Sequence, residues 1–210
     1  MGNGFTPPRI KRAGSPHRID DGTTARTVSP RPGPIGLDAK SGGPKQSHVS
    51  MAEQIVSFPR HKMGHRHGDG ECFSLADRAL RSAGAKSAGD FGTVVPDGDY
   101  VWGTTVNLAD LKPGDIIQFR DYRYDREVDT SNPDGSGTTA TDMQERPHHT
   151  AIVERVGANG SVTVLEQNSP RGSAIARHEL FFRSGTFTSG NRTTRITVQG
   201  TFWFFRPEAR

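Results

Sequence analysis

The only cysteine of the chain, Cys72, stands in GDGECFSLADRAL, where a glycine-rich turn runs into an amphipathic pattern. That places the thiol at a helix start, where unsatisfied N–H groups and a partial positive charge favour thiolate over thiol and can hold a developing oxyanion. A thiol nucleophile needs a base to take its proton and a third group to hold the imidazole in the right tautomer. His149, opening HTAIVERV, offers the imidazole, and Glu166 and Asn168, closing SVTVLEQN, offer two polar partners. The chemistry within reach of these four residues is acyl transfer through a thioester. As a packing residue Cys72 would need no such company, and its place at the helix start favours the reactive reading over the buried one.

Strand parity tests the last two roles. HTAIVERV and SVTVLEQN flank GANG, and Asn159-Gly160 is a strong hairpin signal. A four-residue loop pairs Val156 with Ser161, which sets His149 opposite Asn168 and Ala151 opposite Glu166. A two-residue turn shifts everything by two and makes Asn168 diagonal to His149. Either way His149, Glu166 and Asn168 share a face and Gln167 points to the other. Asn168 is the nearer partner in both registers, and Glu166 reaches the imidazole only in the first or across a bulge. His148 falls on the opposite face from His149.

The elements that must carry these residues are legible in outline. Apolar residues at Phe73, Ala76, Ala79 and Leu80, with Leu75 and Ala83 beside them, predict a helix that Gly84 stops. Before it, QIVSF reads as a strand. After it come a Pro-Gly turn and a strand at Asp115 to Phe119, then residues 121–147, which are polar, lack a regular period and read as a functional loop or a disordered insertion. ARHELFF and TVQGTFWFFRP supply the last strands. A helix followed by antiparallel strands is an α+β order without the crossover helices of a parallel sheet. Trp102 and FWFF read as core or as groove walls.

Cys72 at a helix start, LKPGDIIQF, HHTAIVERV and VTVLEQN together resemble the CHAP family of cysteine, histidine-dependent amidohydrolases and peptidases, within the NlpC-like, papain-like fold. The matching positions are Gly70, Glu71 and Cys72; Gly114 and Asp115; His149, Ala151 and Val153; and Glu166 and Asn168. The resemblance implies a cysteine-bearing helix packed on an antiparallel sheet, and peptidoglycan amidase or endopeptidase activity. It implies Cys72 as nucleophile, His149 as base, Glu166 as orienter and Asn168 as a second polar group or the orienter itself. The Cys72 backbone N–H would contribute to an oxyanion hole. No cofactor or metal is implied, the partner is a peptidoglycan or peptide substrate, and a monomer is expected. The span from Asp121 to Pro147 departs from that family in length.

Bulk composition sets the frame. Seven of the 14 prolines lie in residues 1–50, with 8 Lys plus Arg against 3 Asp plus Glu, which reads as a disordered basic tail ahead of one domain at 51–210. The tail is about +5 and the body about −1, so the alkaline balance gives the folded part no nucleic-acid groove. One cysteine excludes an internal disulfide framework and multi-cysteine metal sites. His61, His65 and His67 read as a solvated basic loop, and Asp121, Asp125, Asp129 and Asp134 do not match a calcium loop. No apolar run is long enough for a membrane span, and no secretory signal opens the chain. Reaching a cell wall would then need a specialised delivery route. Two rivals keep the same residues: a protein-directed cysteine peptidase, deamidase or acyltransferase, and a non-catalytic module that binds a peptide or glycan.

Overall fold

A computed structural model describes residues 49–210. The expectation of a disordered tail at 1–50 falls almost wholly outside the described residues. Two helices come first, α1 (Met51–Arg60) and α2 (Cys72–Ser82), and seven strands follow: β1 (Thr104–Val106), β2 (Ile116–Ser131), β3 (Gly137–Val156), β4 (Ser161–Glu166), β5 (Ala176–Phe181), β6 (Gly185–Ser189) and β7 (Arg192–Arg206). All pairings are antiparallel, in the order β1-β7-β2-β3-β4-β5, with β6 on the outer half of β7. This is an α+β arrangement. No helix among the described residues is long and apolar enough to cross a membrane.

The first helix replaces the strand expected at QIVSF. Ser50 accepts from the Glu53 N–H while the Glu53 carboxylate takes the Ser50 N–H at 2.8 Å, a reciprocal capping box. Ile55, Val56 and Pro59 then fall on one buried face. The short apolar run that resembled a strand is the core face of a capped helix. The second helix starts at Cys72 and ends before Gly84, whose φ of +71° lies in the left-handed region that favours glycine.

The sheet has two packed faces. Helices α1 and α2 cover one, with Trp102, Ile116, Ile152, Leu165 and Phe205. The other gathers Ile117, Phe119, Ala151, Val153, Val164 and Phe204. It is closed by curling, since the Tyr122 hydroxyl on β2 donates to the Phe181 carbonyl on β5 at 2.7 Å, reaching past β3 and β4.

Residues 121–147 are not a loop. They form most of a long β2–β3 arm that turns only at 132–136, and β7 pairs along its other edge. The sequence hides this because its alternation carries Thr, Arg, Asp and Glu in place of apolar residues. Those side chains close cross-strand pairs instead, such as Arg126 with Asp142 at 2.7 Å and Arg195 with Glu127 at 2.5 Å, while Tyr124, Val128 and Ile196 are buried.

Candidate active site

The turn that delivers Cys72 is built by backbone geometry and one buried amide. Gly68 and Gly70 have φ of +61° and +87°, and the Asp69 carboxylate accepts from the Glu71 N–H at 2.9 Å. Gln167, fully buried just past β4, then clamps the turn: its Oε1 accepts from the His67 N–H at 2.9 Å and its Nε2 donates to the carbonyls of His67 at 3.0 Å and Glu71 at 2.7 Å. Glu71 occupies the N-cap without capping by its side chain, so the first N–H groups of α2 are left for the site.

His149 comes from β3, opposite Phe119 of β2. The β3–β4 hairpin turns through Asn159 and Gly160, at φ of +56° and +76°. Next to the turn Val156 faces Val162, one residue off either expected register. A bulge between Val153 and Arg155 restores the first of them, with Ile152 opposite Leu165. The ladder stops at that pair, leaving His149 and Glu166 on one face beyond it. His149 Nε2 lies 2.8 Å from Glu166 Oε2, off the axis of a straight N–H bond, so the contact is an ion pair more than an aligned hydrogen bond. The Cys72 thiol interacts with the same imidazole and with the backbone N–H groups of Thr150 and Phe73.

The electrostatics follow from these contacts. Burial alone would push the thiol up, but the His149 bond and charge, with the two backbone N–H groups, hold Cys72 below its ordinary value. Burial would also lower His149, yet the Cys72 and Glu166 partners push it up to about 9. Glu166, 1% exposed, sits well below the carboxylate range: desolvation opposes ionisation, and His149, His178 and Arg146 overcome it. The cluster is arranged for thiolate, imidazolium and carboxylate in a row.

Asn168 is not brought to the imidazole. The strand ends at Glu166, and Asn168 turns into the left-handed region at φ +65°, so strand parity no longer governs it. Its amide donates to Glu71 Oε2 at 2.8 Å and its carbonyl accepts from the Gly172 N–H at 2.6 Å. It braces the N-cap of α2 from across the site. His148 points away from His149, as parity requires, and bonds the Gly98 carbonyl and Asp97. Trp102 is core, its indole N–H donating to Gln118 at 3.1 Å. His61 bonds Ser57 and His67 packs edge-on against Phe58. Among the described residues no set of three or more His, Cys, Asp or Glu side chains is gathered as a metal site.

Two groups escaped sequence reasoning. Arg146 donates to both oxygens of Glu166, at 3.0 and 2.5 Å, and His178 on β5 reaches Oε1 at 2.7 Å. Simple alternation puts Arg146 and His149 on opposite faces. The strands kink between them: Pro147 has no N–H for the ladder, and opposite it Asp121 sits at φ +53° in a bulge of β2 that faces Gly200. A cleft of about 720 Å³ opens beside His149, walled by Arg146, His148, Asn168, Arg171 and His178. Phe73, next to Cys72 on α2, packs against Tyr100 from the segment before β1, both half-buried with ring centroids 4.9 Å apart.

Comparison with known families places residues 42–191 in the AIM3/BBC1 cysteine proteinase-fold domain. No curated protein and no solved structure matches the chain. The family match supports the papain-like class expected from sequence and does not single out the CHAP family within it. With a match over more than half of its length, the chain belongs to the AIM3/BBC1 cysteine proteinase-fold domain family.

Proposed function

We propose that this chain is a cysteine-dependent amide hydrolase with Cys72 as nucleophile, His149 as general acid and base and Glu166 as the orienter of the imidazole. The observation that carries this reading is a thiol at a helix start against a buried imidazole whose Nε2 faces a buried carboxylate. The Cys72 thiolate attacks the carbonyl carbon, and the oxyanion that forms meets N–H groups at the start of α2. Collapse breaks the C–N bond, and the imidazolium proton goes to the departing amine. His149, now neutral, takes a proton from water, whose oxygen displaces the sulfur from the thioester. The acid product leaves and the thiolate–imidazolium pair is restored.

We assign peptidoglycan stem peptides as the substrate class on the sequence resemblance to CHAP domains. A protein-directed reading, as peptidase, deamidase or acyltransferase, uses the same site and is favoured by the match to a cysteine proteinase-fold family. The full chain should release new amines from one of two substrates, purified peptidoglycan or a mixed-protein digest target, and the choice separates the two readings. Cys72→Ala should be silent on both. Undiminished turnover by that variant would sink the hydrolase assignment, and no turnover together with ordinary thiol reactivity would favour a binding module.

A further inference from the structure

The Glu166 carboxylate has more partners than an imidazole orienter needs. Oε2 faces His149 Nε2 at 2.8 Å and accepts from Arg146 Nε at 3.0 Å; Oε1 accepts from Arg146 Nη2 at 2.5 Å and meets His178 Nδ1 at 2.7 Å. A glutamate carboxylate turns easily about its last torsion, where the barrier is broad and soft. A single partner leaves that rotation open. A planar fork across both oxygens, with a third donor on the outer one, closes it.

Arg146 is itself fixed. Its Nη1 donates to the Glu145 carbonyl at 2.7 Å and its Nη2 also reaches Gln144 Oε1 at 2.9 Å, and its side chain is 5% exposed. His178 differs, since its side chain is 27% exposed and stands in the cleft wall. The groups facing Glu166 are therefore Arg146 and His149 from β3 and His178 from β5. Tyr122 of β2 lies near them, and burial pushes its hydroxyl up so that it stays neutral. The group facing His149 from α2 is Cys72.

We infer that Arg146 and His178 are positioning residues for the reaction proposed above, holding both oxygens of Glu166 so that one stays turned to His149. The inference rests on that reading of the site. The Arg146 guanidinium against both oxygens helps keep Glu166 ionised in a site whose burial would otherwise favour the acid form. His178 locks the outer oxygen from the cleft side. Loss of either lets the carboxylate rotate, weakens the imidazolium, and moves the formation of the Cys72 thiolate to higher pH.

Alkylation of Cys72 by iodoacetamide in the full chain, followed by mass spectrometry from about pH 4 to about pH 9, reads the thiolate without any substrate. In Arg146→Met the midpoint should rise by about one pH unit, with about tenfold slower alkylation at neutral pH. His178→Ala should move it by about half a unit, and His178→Asn, which keeps a neutral donor near the Nδ1 position, should restore most of the loss. His178 is partly exposed, so its variants keep the test alive if Arg146→Met fails to fold. A normal midpoint in His178→Ala, even with a lowered unfolding temperature, overturns the inference and leaves a structural role only. Wild-type Cys72 that alkylates like a model thiol refutes the hydrolase reading itself, a result distinct from unmoved variants on a reactive wild type.

Discussion

Around the end of β4, Arg146, Glu166 and His149 are shut away from water with His178 at their edge, whereas along the outer arm Arg195 bridges Glu127 and Asp129 where all three side chains stay partly open to solvent. Both sets sit on one sheet and use the same residue types. What separates them is desolvation. An arginine and a carboxylate removed from water must satisfy each other or cost several kcal/mol, roughly, per orphaned ion, while an exposed pair exchanges one set of water contacts for another. The buried set is therefore all-or-nothing and suits a site that needs one geometry. The exposed set joins β2 to β7 across one pair of strands and helps fix their register.

The largest break in this contrast is expected at Glu166. Glu166→Ala leaves Arg146 buried without its carboxylate, and unfolding by denaturant should show a loss of about 3–5 kcal/mol. Cys72 reactivity at neutral pH should fall with it. A variant that unfolds like the wild type would mean that the cluster is open to water. Next comes the kink that brings Arg146 to the site. A Cβ on Gly200 would lie 2.1 Å from the Asp121 carbonyl oxygen, at a φ of +88°. Gly200→Ala should cost about 1–3 kcal/mol, and it should slow Cys72 alkylation although Gly200 touches none of the site residues. Unchanged alkylation would detach the kink from the site.

A pH experiment sharpens the same point. His149 is raised to about 9 in the folded chain, so its contribution is full below its unfolded value of about 6.5 and is lost as pH rises through about 9. Cys72 is lowered, so its contribution is full above its unfolded value and is lost as pH falls through the folded one. The proton that folding keeps on the imidazole and the proton that folding takes from the thiol offset one another, so stability should vary less with pH than either shift alone would give. Cys72→Ser removes one side of the balance. Its stability should decline as pH rises from about 6.5. A flat profile in the variant would show that Glu166 does not hold His149 protonated.

The sequence made the placement of Cys72 and His149 and the parity of Glu166 legible because each lies in a short regular run: a helix start, a strand and a hairpin of conventional chemistry. Arg146 was hidden by the kink at Pro147, which breaks the alternation that parity relies on. His178 lies on a strand not linked to the site in sequence, and only the order β3-β4-β5 brings it to Glu166. Asn168 was misplaced because the strand ends two residues before it, at a left-handed turn that a Glu-Gln-Asn ending does not announce. The capping box at Ser50 and Glu53 was readable and outweighs the strand-like QIVSF. The arm failed for the opposite reason: its strands are held by charge pairs, and a period of two in polar residues leaves no hydrophobic trace.

The arm should accordingly tolerate what the site cannot. Arg195 bonds Glu127 at 2.5 Å and Asp129 at 2.7 Å, and its side chain is 54% exposed. Solvent and salt screen such pairs, and each carboxylate returns to water when the partner is removed. Arg195→Ala should leave the unfolding midpoint within experimental scatter of the wild type and the alkylation profile of Cys72 unmoved. The Arg146→Met variant replaces the same residue type on the same sheet, so the ratio of the two effects measures desolvation directly. Raising the salt concentration should narrow even the small Arg195 difference and leave the Arg146 one in place. An Arg195 effect as large as that of Arg146 would mean that the arm, with its long polar strands, supports the site through the sheet.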